Sequence, residues 1–163
     1  MAVIDFKDTR LFLQDGTAGT PNEVEIIVGD GNLTFDETTT REYRLNRGKL
    51  NEVKNGDETP MAVSFDFEYN YLRGDGVTPS LEDALKNRYA AASWLTTDSS
   101  DPCAPFALNI KIVYDPDCAV GDTETTILPD FRQEGLSHDI SAGTISCTGN
   151  CNATEATSVR VAP

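Results

Sequence analysis

The stretch from Ala62 to Leu72, Ala-Val-Ser-Phe-Asp-Phe-Glu-Tyr-Asn-Tyr-Leu, decides the fold because apolar and polar side chains alternate along it without interruption. Successive side chains of a β-strand point to opposite faces, so the pattern predicts a strand with one apolar face and one acidic face. At about 3.3 Å per residue it would span roughly 35 Å, which is long for a strand. The apolar face holds Val63, Phe65, Phe67, Tyr69 and Tyr71, and the polar face holds Ser64, Asp66, Glu68 and Asn70.

Further β-segments are expected on both sides of this strand. Turn signals at Asp15-Gly16, Gly29-Asp30-Gly31 and Asn55-Gly56-Asp57 separate them, a pattern typical of antiparallel hairpins. Residues 124–128 are predicted to pair back on 106–114, and Pro129 is predicted to end that strand. The remaining predicted β-segments are Val3–Leu13, Glu23–Val28, Leu33–Phe35, Arg41–Leu45 and Ile140–Cys147.

One helix is predicted within Thr78–Asn87. Thr78 or Ser80 can cap its amino end, and Leu81, Ala84 and Leu85 form an apolar stripe. For residues 88–97 helical and extended conformations remain open. The predicted fold is a single domain over residues 1–163, mainly β, built as an antiparallel sandwich or partial barrel with one flanking helix.

The composition excludes one large class of function. The chain of 163 residues has 39% hydrophobic and 25% charged residues, as expected for a globular protein. Aspartate and glutamate number 27 against 13 lysines and arginines, a net charge of −14, so the chain is not expected to hold nucleic acid by neutralising phosphates. With no leader or long apolar run, we expect it to be made in the cytoplasm without a membrane partner.

No catalytic or cofactor site is expected. The sole histidine, His138, lacks a nucleophile motif around it, and a surface or hydrogen-bonding role is favoured. Asp66 and Glu68 could serve acid–base chemistry, but no paired carboxylate is evident elsewhere, which favours a solvated strand face. No complete calcium loop or nucleotide-binding motif is present, so we expect no metal, no cofactor and no enzymatic activity.

The four cysteines allow three interpretations. Cys103 and Cys118 bracket a predicted strand and are therefore expected to be too far apart for a disulfide. Cys147 and Cys151 enclose Thr148-Gly149-Asn150, interpreted as a turn that could close a small ring. Free thiols are favoured, followed by a disulfide formed after release, and then by a four-thiolate zinc site.

A basic cluster lies between residues 41 and 54 of this acidic chain. One interpretation is a solvated loop with ion pairs to Glu42 and Glu52. The alternative is a docking edge that meets the acidic surface of another copy, where segregated charge would fix register and orientation. The cluster consists of Arg41, Arg44, Arg47, Lys49 and Lys54.

The order and texture of these segments resemble the major tail tube proteins of long-tailed bacteriophages, and the resemblance covers most of the chain. It begins with Asp8-Thr9-Arg10-Leu11-Phe12-Leu13-Gln14-Asp15-Gly16-Thr17 and continues through Glu23–Gly29. It then includes the strand Ser64–Tyr69, the helix Leu81–Lys86, Leu128-Pro129-Asp130-Phe131, Gly143-Thr144-Ile145-Ser146 and Gly149-Asn150-Cys151-Asn152-Ala153.

This resemblance implies a virion protein that forms hexameric rings, with strands of each copy completing a shared inner barrel, stacked into a hollow tube for DNA ejection. Ser64, Asp66, Glu68 and Asn70 would line the lumen, where DNA passes without specific binding. Residues 37–60 would form an extended arm between subunits. The implied partners are other copies, the tape measure, the tail terminator and the tail tip, assembled in the host cytoplasm.

Two rivals from other classes remain open. The first is a small β-sandwich module for virion decoration or receptor contact, which would form discrete small particles instead of rings or filaments. The second is an enzyme with a site on the acidic strand face, which the missing base, nucleophile and cofactor motifs disfavour.

Overall fold

A computed structural model describes residues 5–29, 31–68, 79–115 and 123–161 as a mainly antiparallel β fold with one α-helix, which confirms the predicted fold class. The strands are β1 (Thr9–Gln14), β2 (Glu23–Glu25), β3 (Leu33–Asp36), β4 (Thr39–Asn46), β5 (Lys49–Glu58), β6 (Met61–Glu68), β7 (Leu108–Tyr114), β8 (Thr123–Asp139), β9 (Thr144–Cys151) and β10 (Thr157–Val161). Helix α1 is Leu81–Lys86, and Phe6–Asp8 and Tyr89–Ala91 are 3-10 helices. The longest of these described helices has six residues, too few to cross a bilayer.

Eight strands form one antiparallel sheet in the order β2-β1-β7-β8-β9-β6-β3, and β10 also pairs with β8. The sheet is not closed into a barrel. The strands at its two ends, β2 and β3, are nevertheless consecutive in the chain. Ile27 lies between these two strands in the sequence, and its carbonyl accepts a hydrogen bond of 2.9 Å from the Glu68 amide of β6. The sheet therefore curves around a core, and within the described residues β2, β3 and β10 each pair with a single strand.

Strand β8 organises the sheet because it is 17 residues long and changes partners along its length. Its first half pairs with β7 and β10, and its second half pairs with β9. The prediction that Pro129 ends this strand is wrong. The register between β7 and β8 shifts by one residue, because Leu108 pairs with Phe131 whereas Ile110 pairs with Leu128. Pro129 and Asp130 lie in the resulting bulge, which tolerates the lack of an amide donor on proline and bends the strand.

The alternation along β6 is confirmed over its described length. Val63, Phe65 and Phe67 are each at most 2% exposed, whereas Ser64 and Glu68 are exposed and Asp66 is half-buried. The predicted continuation to Leu72, which includes Tyr69, Asn70 and Tyr71, lies outside the described residues. Phe65 packs against both Phe67 and Phe131, and all three belong to one core cluster with side chains of β1, β7 and β9, so one face of β6 is committed to the core.

The helix α1 lies within the range that the sequence predicts. The Ser80 hydroxyl accepts a hydrogen bond from the Asp83 amide, and Asn87 ends the helix in the left-handed region at φ 50°. Its apolar stripe is buried, as predicted. Within residues 88–97, only Tyr89–Ala91 is helical, and the chain then runs irregularly past the buried Trp94.

Strands β4 and β5 form a separate two-stranded sheet, called here the ribbon (residues 39–58). The predicted loop tip at Asn55-Gly56-Asp57 is wrong, because these residues lie within β5. The turn is instead Arg47-Gly48, where both residues have positive φ (51° and 78°), the geometry required by a two-residue hairpin. No residue of the ribbon is buried.

The carboxyl-terminal part departs from expectation in two ways. Thr148-Gly149-Asn150 is not a turn, because it lies inside β9 and pairs with β6 and β8. Residues 140–143 form the turn instead, and β9 begins at Thr144. Strand β10 lies in the tail that carried no strand signal, and all five of its residues are exposed.

Candidate functional site

A polar face covers the half of the sheet made by β3, β6, β9 and the second half of β8. Strand β6 contributes Ser64, Asp66 and Glu68, as the alternation predicted, and Asn70 lies outside the described residues. Their partners across the ladder are small polar residues, and the Ser146 hydroxyl donates to Asp66 Oδ1 at 2.6 Å. The other members, placed by register, are Thr34, Thr144, Thr148, Ser137 and Asp139.

The sequence reasoning missed the contribution of β9 to this polar face. Residues 144–151 alternate strictly between a polar face and a buried face, and this alternation was the available signal. Gly149 concealed it because glycine followed by asparagine was interpreted as a turn. In the structure Gly149 lies under Phe131, where an added Cβ would approach the ring at 2.8 Å.

Arg132 of β8, which the pairing with β9 places beside the polar face, is already neutralised by an ion pair. Arg132 pairs with Asn150, and its guanidinium donates to Asp98 Oδ2 at 2.7 Å and to the Pro105 carbonyl at 2.9 Å. Hydrogen bonds from Ser100 and then from Arg132 lower the pKa of Asp98 to about 2, so this pair stays charged on both sides at neutral pH. The free charges of the polar face are therefore carboxylates.

The ribbon has two chemically different faces. Tyr43 pairs with Val53 and Leu45 with Leu50, and these four side chains are 55–74% exposed. The cross-strand pairs of the other face are charged, as in Arg44 with Glu52. An exposed apolar face on an element that buries nothing is the usual mark of an interaction surface.

The five cations of the basic cluster all lie on the ribbon, and the structure separates them into two groups. Arg44 and Lys54 both contact Glu52, at 3.7 and 3.5 Å, which is the local pairing weighed from the sequence. Arg41, Arg47 and Lys49 form no ion pair among the described residues, and the second expected acceptor, Glu42, forms none there either.

His138 joins the helix to the sheet. Its Nε2 lies 3.2 Å from Glu82 Oε1, and Lys86 and Arg88 contact the same oxygen at 2.5 and 3.3 Å. Burial acts to raise the pKa of Glu82, but the hydrogen bonds from Lys86 and His138 outweigh it and hold that pKa below its usual value. Among the residues that the structure describes, no nucleophile lies in hydrogen-bond contact with His138, and the arrangement joins α1 to β8.

The cysteines in the described ranges are separate thiols. Cys147 and Cys151 lie four residues apart in one straight strand, about 13 Å, so neither the small ring nor a shared zinc ion is compatible with them. Burial raises the pKa of both to about 12, so both stay protonated. Cys103 is exposed, and Cys118 lies outside the described residues. Within those ranges no group of three acidic, His or Cys side chains could hold a metal ion.

No protein-family model matches the sequence, and no characterised protein matches it significantly. The fold is similar to that of a chain from the sheath/tube terminator of PVC, an extracellular contractile injection system, in its extended state. The TM-score is 0.56 at 13% identity, over 99% of both chains. A chain from the sheath-tube complex of PVC gives a TM-score of 0.47 at 13% identity, over 94% of this chain and 89% of that one. The first likeness establishes a shared fold, and the second is too weak to add to it.

Proposed function

We propose that this chain is a structural protein of a phage tail or a tail-like injection particle, in which it forms stacked hexameric rings around a hollow bore. The observation that carries the proposal is the polar face, an extended surface of hydroxyls and carboxylates on one half of an open sheet. A similarity of fold to a chain of an injection-system sheath/tube terminator supports the same class of role.

The open sheet gives a reason for assembly. Among the described residues, β3 and β10 each pair on one side only, and unpaired strand edges invite further pairing. If neighbouring copies complete these edges around a ring, the edges disappear and the polar faces form one continuous inner wall. The residues of β6 on the polar face would then line the lumen, as the sequence suggested.

An acidic wall suits the passage of a polyanion. Carboxylates repel phosphates, so DNA would move through the bore without being retained. In this role the protein is neither an enzyme nor a specific DNA-binding protein. Its partners would be other copies, the tape measure, the tail terminator and the tail tip, in a virion or similar particle.

The ribbon would serve as the arm between subunits that was expected at residues 37–60. It supplies nothing to the core, and its apolar face is left without a partner within the described residues. Contact with another copy would bury both that face and the unpaired cations at the tip of the ribbon, Arg47 and Lys49.

A second candidate is a terminator that forms one ring at the end of a tube. The fold similarity to a chain of the PVC sheath/tube terminator, over nearly the full length of both chains, favours it. The two candidates predict different particles: stacked rings for a tube protein, and single rings for a terminator.

Negative-stain microscopy of the purified protein tests the proposal directly. We expect rings or tubes of uniform diameter with a stain-filled bore. Discrete small particles without a bore would overturn it and favour the decoration or receptor-contact module.

A further inference from the structure

The tip of the ribbon carries two exposed cations, Arg47 and Lys49, that form no ion pair within the described part of the chain. Arg47 lies in the Arg47-Gly48 turn and Lys49 follows it, and the apolar pair Leu45 and Leu50, 63% and 74% exposed, lies directly behind them. The tip therefore combines positive charge with apolar surface, and neither is used within this subunit.

The base of the same ribbon has the complementary chemistry. A cleft of about 460 Å³ lies between the end of β5, the bulge of β8 and the connection from β9 to β10. Its walls include Pro60, Pro129 and Ala153, together with two exposed carboxylates, Glu58 and Glu155. No lysine or arginine lines it, and neither carboxylate is ion-paired among the described residues.

A subunit cannot fill its own cleft with its own tip. Lys49 and Glu58 are the two ends of one extended strand, so nine residues at about 3.3 Å each place them roughly 30 Å apart. The distribution of charge points to another copy as the occupant. The ribbon has five cations and four acids, a net charge of +1, in a chain of −14, so the rest of the chain carries −15.

We propose that the ribbon tip of one subunit binds in the ribbon-base cleft of the next, with Arg47 and Lys49 facing Glu58 and Glu155. This rests on the proposed function and specifies the contact that joins successive subunits. Because tip and cleft are different surfaces, the contact is heterologous, and its repetition forms a ring where the rotation closes or an open stack where it does not. The paired charges fix the register of neighbouring subunits.

Zero-length carbodiimide cross-linking of the assembled wild-type protein, followed by peptide mass spectrometry, tests this contact. We expect Lys49 to be linked to Glu58 or Glu155, and the length of β5 makes a Lys49–Glu58 link necessarily intermolecular. The pair Lys86 and Glu82, in contact at 2.5 Å within one subunit, is the positive control. If that control link forms and Lys49 is linked to neither carboxylate, the proposal is wrong.

A charge exchange provides an independent test by microscopy and sedimentation. We expect Arg47→Glu with Lys49→Glu to reduce assembly at least tenfold, and Glu58→Lys with Glu155→Lys to do the same. The four substitutions together should restore it. Arg41→Glu with Lys54→Glu, the same charge change lower on the ribbon, is the matched control and should assemble better than the tip variant.

The outcomes separate the two proposals. If the wild-type protein forms no ring or tube, the proposed function itself is wrong. If the wild type and the tip variant assemble equally, or the four substitutions together fail to restore assembly, the tip-to-cleft contact is wrong while the proposed function stands.

Discussion

At the scale of single residues, Asp15 fixes the first turn of the chain to a distant segment. It is 3% exposed, and both carboxylate oxygens accept hydrogen bonds. Thr17 and Asn22 each donate from the backbone and from the side chain, and the Leu95 amide donates from 80 residues away. The turn signal at Asp15-Gly16 was visible in the sequence, but this long-range contact was not.

Asp15→Asn should destabilise the protein by about 2 kcal/mol at pH 7, because one carboxylate oxygen becomes an amide facing donors. Burial acts to raise the pKa of Asp15, but the hydrogen bonds from Asn22 and Thr17 outweigh it and hold that pKa below its usual value. The wild type therefore loses this stabilisation as the pH falls below 3.8, the pKa of Asp15 in the unfolded chain, and through the lower pKa of the folded protein. In that range the free energies of unfolding of the two proteins should converge. Urea unfolding at a series of pH values measures this.

Asp139→Asn is the control for that experiment, since Asp139 also accepts hydrogen bonds in a turn, from Ser141 and Ala142, but is exposed. Its effect should be clearly smaller. Equal effects of the two substitutions would show that the burial of Asp15 contributes nothing.

Gly149→Ala should cost about 1–3 kcal/mol of unfolding free energy, since the added methyl group meets packed atoms. Its Cβ would lie 2.2 Å from the Arg132 carbonyl oxygen, which belongs to the paired strand and cannot turn away. Thermal unfolding measures the loss. Gly135→Ala is the matched control, because its Cβ would meet only the Thr148 hydroxyl, at 3.0 Å. An equal stability of the two variants would contradict this interpretation of Gly149.

At the scale of elements, the ribbon and the large sheet have opposite roles. The sheet holds the core on one face, with Phe65, Phe67 and Phe131 among its largest fully buried side chains. The ribbon has no buried residue, so its strands are held by their own ladder and turn. Stability and assembly should therefore be separable by mutation.

Replacing residues 40–57 by Asn-Gly should leave the melting temperature within a few degrees of the wild type and abolish assembly. Thr39 and Glu58 are cross-strand partners, so a two-residue turn can join them without moving β3 or β6. Circular dichroism measures the fold, and microscopy measures assembly. An unfolded product would show that the ribbon is needed for the core, and unaltered tubes would show that it is not the arm.

At the scale of the whole molecule, charge is segregated between the polar face, which is acidic, and the ribbon, which carries all three lysines and arginines of the described chain that form no ion pair there. Repulsion between copies of net charge −14 opposes association, so a favourable contact must place cations against carboxylates. The proposed tube meets this requirement if the ribbon joins neighbours while the polar faces look into the bore.

Asp66→Lys with Glu68→Lys should give tubes that retain a short DNA oligonucleotide in a nuclease-resistant form, because the new cations would lie inside the bore. Sedimentation of tubes with labelled DNA, before and after nuclease treatment, measures this. Asp101→Lys with Asp115→Lys, in exposed loops away from the polar face, is the control and should bind only nuclease-sensitive DNA. If tubes of the Asp66 and Glu68 variant bind no nuclease-resistant DNA, these two residues do not line the lumen.

The sequence by itself determined which side of β6 faces the core and that a helix lies within residues 78–87. These features depend on local periodicity, so the alternation from Val63 and the apolar stripe of Leu81, Ala84 and Leu85 were sufficient, whereas the choice of Ser80 over Thr78 as the cap and the end of the helix at Asn87 came from the structure. Only the tertiary structure decided which strands pair, that β8 continues through Pro129, and that the ribbon leaves the sheet. The physical reason is that a glycine or proline has no fixed role of its own: Gly149 and Gly48 have the same side chain, but one lies beneath Phe131 and the other forms a turn. What each does depends on residues that are distant in the chain and contact it only when the protein folds.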